Sequence, residues 1–180
     1  MNLHYNLCTS EDLAQLTQLA RKTFADAFES QNDPKDFSAY MNTVLSEENL
    51  EKELLDPDCS FYFVKNEDKL VGYFKLNENA AQTELKRSDS LELERIYVDE
   101  KFQGMKIGAW ILQQAIDLAK GKDADFLWLG VWEHNTAAIK FYQRYGFIKF
   151  GEHPYYVGDD KQIDWLMRLD LVTLKSQNSS

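Results

Sequence analysis

An α/β or α+β layer sandwich around one twisted, mixed sheet of about seven strands is the fold this sequence predicts, and three observations carry that prediction. Strand-like runs recur at 3–8, 61–64, 70–76, 91–98, 126–131, 147–150 and 164–171. Helical stretches with a one-sided apolar stripe fall between them. A long amphipathic stretch, 105–120, links two runs that read as buried strands, as in a layered α/β fold. At 180 residues the chain suits one domain, taken as 1–174, with 175–180 as a frayed tail.

Each element has a local reason. The first strand stops at Thr9 or Ser10, which with Glu11 and Asp12 cap a helix carrying Leu13, Leu16, Leu19, Ala20, Phe24 and Phe28 on one stripe. The pattern breaks at Gln31-Asn32-Asp33-Pro34. Phe37, Tyr40, Met41, Val44 and Leu45 then mark a second helix, and Leu50, Leu54 and Leu55 a short third piece stopped by Asp56-Pro57. Runs 61–64 and 70–76, joined by Asn66-Glu67-Asp68, form a hairpin lying beside 91–98. Residues 78–88 are polar and without period, hence a loop. Asn135 caps a helix that Gly146 closes, and two strands finish the chain. There is no internal repeat or low-complexity block.

Composition narrows the function classes. No apolar run approaches the roughly 20 residues that span a bilayer, and Met1-Asn2-Leu3-His4-Tyr5 lacks the basic start and apolar core of a secretion signal, so a cytoplasmic protein is expected. Cys8 and Cys59 stand far apart, which excludes a CxxC spacing and fits reduced thiols. His4, His134 and His153 form no metal-ligand spacing, and no metal is expected. A net charge of −10 argues against nucleic acid or an anionic membrane as partner. The excess is uneven: between 26 and 58, ten acids face Lys35 and Lys52, a local net of −8. A solvated acidic face accounts for this, and the same field steers a cationic amine toward a nearby cleft.

The chemistry-bearing feature lies after run 91–98. A polar break with Gln103 and Gly104 precedes a helix opened by Ile107, Gly108 and Ala109. A first turn this bare leaves unpaired N–H groups and the positive end of the helix dipole open to a pyrophosphate, which makes the ligand nucleotide-like. An ordinary strand-to-helix turn also uses glycines, and the loop alone does not separate the two.

Gln103-Gly104-Met105-Lys106-Ile107-Gly108, taken with Asn135 to Phe147, resembles the two acetyl-CoA motifs of the GCN5-related N-acetyltransferase (GNAT) family. Gly158-Asp159-Asp160 and the strand 165–171 are similar to the PaiA-like spermidine and spermine acetyltransferase branch. The resemblance implies a single domain with helices on both faces and a V-shaped splay between the fourth and fifth strands. It implies acetyl-CoA as co-substrate, held by Ile96, Tyr97, Val98, the 103–109 loop including Met105 and Ala109, and Asn135. One position departs from the pattern: Lys106 stands where the family's loop has its middle glycine. In ordinary helical space Lys106 still donates its N–H, and its ammonium reaches either a phosphate or solvent.

The implied reaction is acetyl transfer to a primary amine by direct attack in a ternary complex, with a monomer or homodimer as the working unit. An alkylammonium has a pKa near 10, so a base or water chain is needed. Glu94 takes the base role and Glu92 is its rival: alternation in a regular strand puts both on one face with Ile96 and Val98, about 7 Å apart. Either is equally read as a strand acid paired with Arg95 or Lys101. Tyr142, two helical turns from Asn135, takes the acid role, with Phe141 and Tyr145 as core. The Ile96 N–H is the expected oxyanion donor. His153, Tyr155 and Tyr156 border the acceptor side, and a small polycationic amine is the favoured acceptor. Two other readings compete. A dinucleotide-binding oxidoreductase would use Gly104, Gly108 and Glu133, but the full glycine fingerprint is absent. A non-catalytic CoA-binding sensor would bind without releasing CoA thiol.

Overall fold

The computed structural model describes residues 1–157 and 160–171. Along the chain run β1 (Leu3–Leu7), α1 (Leu13–Phe28), α2 (Pro34–Thr43), α3 (Glu47–Leu55), β2 (Cys59–Asn66), β3 (Lys69–Asn77), β4 (Ser90–Val98), α4 (Ile107–Gly121), β5 (Phe126–Trp132), α5 (Thr136–Arg144), β6 (Ile148–Val157) and β7 (Asp160–Asp170). The expected tail and Gly158-Asp159 of the expected turn lie outside the described residues.

Local signals place most boundaries. Asp12 accepts from the Thr9 N–H at 2.8 Å, closing a capping box through one 3-10 turn before α1. Pro34, where the apolar pattern breaks, opens α2 as its first residue, and Asp33 accepts from the N–H groups of Lys35 and Asp36. Ser46 caps α3 and Asn135 caps α5. The last two strands are longer than the sequence suggests. Their alternation is masked by Pro154 and the tyrosines, yet β6 pairs with β7 from Ile148↔Arg168 to Val157↔Asp160.

The seven strands form one sheet in the order β1-β2-β3-β4-β5-β7-β6, antiparallel at every step except β4–β5. Helices α4 and α5 cover one face, where Ile107, Ile111, Leu112, Ile139 and Tyr142 pack on Phe74, Leu93, Leu127 and Leu129. Each such large side chain contributes about 1.5–3 kcal/mol by leaving water. Helices α1 and α3 cover the other face, where Leu16, Leu19 and Leu50 meet Phe61, Phe63 and Tyr73. Gly72 lets β3 and β4 approach: a Cβ there would lie 2.4 Å from the Tyr97 carbonyl oxygen.

The polar segment between β3 and β4 is more than a solvated loop. Gln82 is buried, donates to the Arg87 carbonyl at 2.6 Å, and accepts from the Ser90 hydroxyl at 2.8 Å and the Trp128 indole N–H at 2.7 Å. Thr83 donates its N–H and hydroxyl to Glu92 at 2.8 and 2.6 Å. This segment therefore seals the α1/α3 face of the sheet over β4 and β5.

Candidate active site

The loop before α4 has the geometry its glycines suggest, with one difference. Gly104 sits at φ +78° and Lys106 at φ +61°, so Lys106 occupies the left-handed region and not helical space. A non-glycine residue there costs about 1–2 kcal/mol, and the turn imposes it because the chain must reverse before Ile107. Among the described residues no acceptor bonds the N–H groups from Gly104 to Ala109. Cβ atoms built on Gly104 and Gly108 would meet nothing within 4 Å. The bare amides face a groove of about 760 Å³ that also includes Val98, Phe102, Phe141, Arg144 and Tyr145. Sequence reasoning missed Arg144. Its spacing of three from Phe141 on a short helix was the available signal, because i and i+3 share a face. Met105, exposed, does not line the groove.

The splay follows from the register. β4 and β5 pair only at Ser90↔Phe126, Leu91↔Leu127 and Glu92↔Trp128, and both strands then run on unpaired with each other. The Asp99 N–H bonds the Val71 carbonyl at 2.9 Å, so ladder alternation turns the Tyr97 N–H toward β3 and those of Ile96 and Val98 into the gap. Gln103 donates to the Val98 carbonyl at 3.3 Å. The Tyr97 ring stacks on Tyr73 on the opposite face, 5.7 Å between centroids, so Tyr97 faces the gap with neither ring nor N–H. Asn135 accepts from the Ala138 N–H at 3.2 Å and lines a cavity of about 280 Å³ with Phe28, Gln31, Trp132 and His134.

The strand carrying the two glutamates is not regular. Lys75 pairs with Arg95 and Leu76 with Leu93, so Glu94 is an extra residue, a β-bulge. The bulge shifts the alternation. Leu93, Ile96 and Val98 pack on the α4/α5 side, while Asn77 on the other face donates to Glu92 at 3.1 Å and to Glu94 at 2.6 Å. The expectation that both carboxylates share a face with Ile96 and Val98 is therefore corrected: the acids face the α1/α3 side and the backbone they flank faces the gap.

Glu94 sits in a network of charges. Lys75, almost fully buried in β3, lies 2.5 Å from Glu94 and 3.2 Å from Glu53 of α3. Arg95 reaches Glu53 at 3.2 Å and Glu94 at 3.5 Å. Burial on its own raises the Glu94 pKa, but Arg95 and Lys75 outweigh it and hold the carboxyl below its ordinary value. Glu92 shifts the other way, because burial outweighs its bonds from Thr83 and Asn77 and the Glu94 charge adds to the rise.

Tyr142 is the most buried of Phe141, Tyr142 and Tyr145, packed on Phe141 and Phe147, and burial pushes its phenol up to about 12. Phe141 packs against the core, as expected, and also lines the groove, whereas Tyr145, expected as core, is exposed and lines the groove. The reason is helix phase: α5 buries Ile139 and Tyr142, three apart, and turns their neighbours outward. Burial raises the Cys8 thiol to about 12 and the Cys59 thiol to about 11, so neither is a thiolate near neutral pH. Among the described residues no group of three or more His, Cys, Asp or Glu is placed to hold a metal.

Beyond the gap, the α1/α3 face continues onto β5 and β7. The Trp132 indole donates to Gln162 at 2.6 Å, and His153 lies 2.8 Å from Glu84 of the sealing segment. Asp164 of β7 is the strand partner of His153 on β6. Tyr40 of α2 lies within electrostatic reach of Glu94, Arg95 and Asp164, and burial raises its phenol pKa. Tyr156 points to solvent.

Residues 14–147 match the Acetyltransferase (GNAT) family. A protein of Lactobacillus delbrueckii subsp. lactis, described as an uncharacterized N-acetyltransferase in the pepI 3' region, is 37% identical over 164 residues, 91% of this chain and 95% of that one. The spermine/spermidine N(1)-acetyltransferase of Bacillus subtilis is 32% identical over 99 residues, 53% of this chain and 65% of that one. In structure, the PaiA N-acetyltransferase of Thermoplasma acidophilum, solved with coenzyme A, superposes with a TM-score of 0.75 at 21% identity, covering 94% of this chain and 99% of the other. With the open amide loop and the splayed strands, these matches make the chain a member of the GNAT family, an N-acetyltransferase that uses acetyl-CoA.

Proposed function

We propose that the chain acetylates a primary amine of a small cationic acceptor, a polyamine in the first instance, by direct attack within a ternary complex in the cytoplasm. Acetyl-CoA supplies the activated acetyl group. The amides of Gly104, Lys106, Ile107, Gly108 and Ala109, with Gln103 and Arg144 beside them, hold its diphosphate. The edge of β4 at Ile96 and Val98 holds its arm together with Asn135. The Ile96 N–H donates to the thioester oxygen. Tyr142, protonated at neutral pH, supplies the proton for the departing thiolate.

Glu94 takes the amine proton through water. Lys75 and Arg95 disfavour its protonated form, so the proton passes on to solvent and the carboxylate is restored. Glu92, buried and bonded to Thr83, is left in a supporting position. No nucleic acid or membrane enters this reading; among the described residues no helix is long and apolar enough to cross a bilayer.

One observation carries the choice of acceptor: around the α1/α3 side of the gap, Glu53, Glu84, Glu92, Glu94 and Asp164 outnumber Lys75 and Arg95. Such a field favours a cation. The spermine and spermidine activity named for the Bacillus subtilis relative points the same way. The test is CoA-thiol release with spermidine, spermine and a set of amino acids with neutral side chains. Faster turnover of the polyamines is expected, and equal rates across the set would remove the electrostatic argument.

A further inference from the structure

Four side chains from three elements close a ring of alternating charge on the α1/α3 face. Lys75 of β3 lies 2.5 Å from Glu94 of β4 and 3.2 Å from Glu53 of α3. Arg95 completes the ring: its terminal nitrogens donate to the two oxygens of Glu53 at 3.2 and 3.4 Å, while Glu94 stands 3.5 Å away. Both cations are almost fully buried over the Phe61 ring, 5.3 Å from its centre for Lys75 Nζ and 5.8 Å for Arg95 Cζ. Among the described residues, Glu53 and Glu94 are the only carboxylates paired with either cation. A buried cation that loses one of its two carboxylates therefore closes on the other.

The two carboxylates are engaged differently. Glu53 is held on both oxygens, Oε1 by Lys75, Arg95 and Asn49 of its own helix, and Oε2 by Arg95. Glu94 is held firmly on one. Its Oε2 takes Lys75 and the Asn77 amide, the latter at 2.6 Å, whereas the Arg95 contact to Oε1 is longer than an ordinary hydrogen bond. The Glu94 side chain keeps 22% of its surface exposed, against 3% for Lys75 and 6% for Arg95. A carboxylate that is to accept a proton needs such an open oxygen as well as its charge.

We infer that Glu53 is a positioning residue for the reaction: from α3 it takes up Arg95 and shares Lys75, so that neither cation closes on Glu94 and its Oε1 stays open to the water that brings the amine proton. This rests on the reading of Glu94 as the base. Near Glu94 also lie Glu92 of β4, Tyr73 of β3, Tyr40 of α2 and Cys59 of β2, and burial raises the pKa of all four. The two phenols and the thiol are therefore neutral at pH 7, and Glu53 is the carboxylate that shares both cations with Glu94.

A charge-balanced set of variants of the full chain tests the inference: Glu53→Gln, Arg95→Gln and the double variant. Each is read by CoA-thiol release with an amine acceptor at pH 7 and by an NMR titration of isotope-labelled glutamate carboxyls, with the Glu94 signal assigned by its loss in Glu94→Gln. Glu53→Gln is expected to lower the Glu94 midpoint and to reduce kcat at least about threefold, with the KM for acetyl-CoA unchanged. Arg95→Gln raises the midpoint by about one unit or more, and adding Glu53→Gln to it brings the midpoint back down. The double variant recovers most of the kcat lost in Glu53→Gln, which the loss of a merely structural contact does not do. If Glu53→Gln does not fold, the midpoint comparison on the Arg95→Gln background carries the test. A Glu94 midpoint that ignores Glu53, or a double variant as slow as Glu53→Gln, overturns the role of Glu53 and leaves Glu94 as the base. Wild-type kcat in Glu94→Gln overturns both.

Discussion

The two sides of the splay are built from different materials. In the proposed reading the working parts of the cofactor side are backbone: the amides from Gly104 to Ala109, the strand edge at Ile96 and Val98, and glycines whose role is to be bare. On the proposed acceptor side they are side chains drawn from β3, β4, α3 and the segment after β3, arranged around Lys75, Glu94 and Arg95. A backbone site tolerates substitution as long as the turn is kept, as Lys106 illustrates by adopting a glycine's conformation. A side-chain site depends on each partner, and removing one leaves a buried charge exposed to low dielectric.

That contrast can be broken at several points. The largest effect is expected from Glu94→Gln, which strips Lys75 and Arg95 of a carboxylate: a loss of about 3–5 kcal/mol of stability in urea unfolding at pH 7, with turnover falling along with it. The pH dependence has a definite sign. The folded pKa of Glu94 is depressed, so its stabilisation is complete above the unfolded value near 4.5 and is lost as pH falls through the folded one. The variant therefore loses that part of the acid limb.

Tyr142→Phe comes next. It keeps the ring and its packing, so a fall of about 10²-fold in kcat with little change in unfolding free energy is the expected result by steady-state kinetics. Gly108→Glu places a carboxylate in the cradle where its Cβ meets nothing, and calorimetry should show acetyl-CoA binding at least about tenfold weaker in a protein that remains folded. The smallest effect belongs to Lys106→Gly. It relieves the left-handed strain at the cost of chain entropy, for a gain below about 1 kcal/mol in the same unfolding measurement.

The same contrast governs what could be read in the sequence. The β2–β3 hairpin beside β4, the helix cap at Asn135 and the glycine turn before α4 are legible because each depends on residues near one another in the chain. The charged network is not, because Lys75, Glu53 and Glu94 meet only after folding. The bulge at Glu94 has no local signature either. It comes from the match between β3 and β4, and it puts Glu92 and Glu94 on the face opposite Ile96 and Val98. Gln82 was hidden for a related reason: a buried glutamine in a polar segment looks like any other polar residue until Trp128 and Ser90 are placed against it.

The parallel contact between β4 and β5 is only three residue pairs long, and it joins two antiparallel half-sheets of four and three strands. Beyond it the molecule carries two raw strand edges in its own interior, screened from other chains by the helices on either face. If the proposed cofactor arm bonds both edges, it stands as a removable strand between the two half-sheets, present in one part of each turnover and gone in the next.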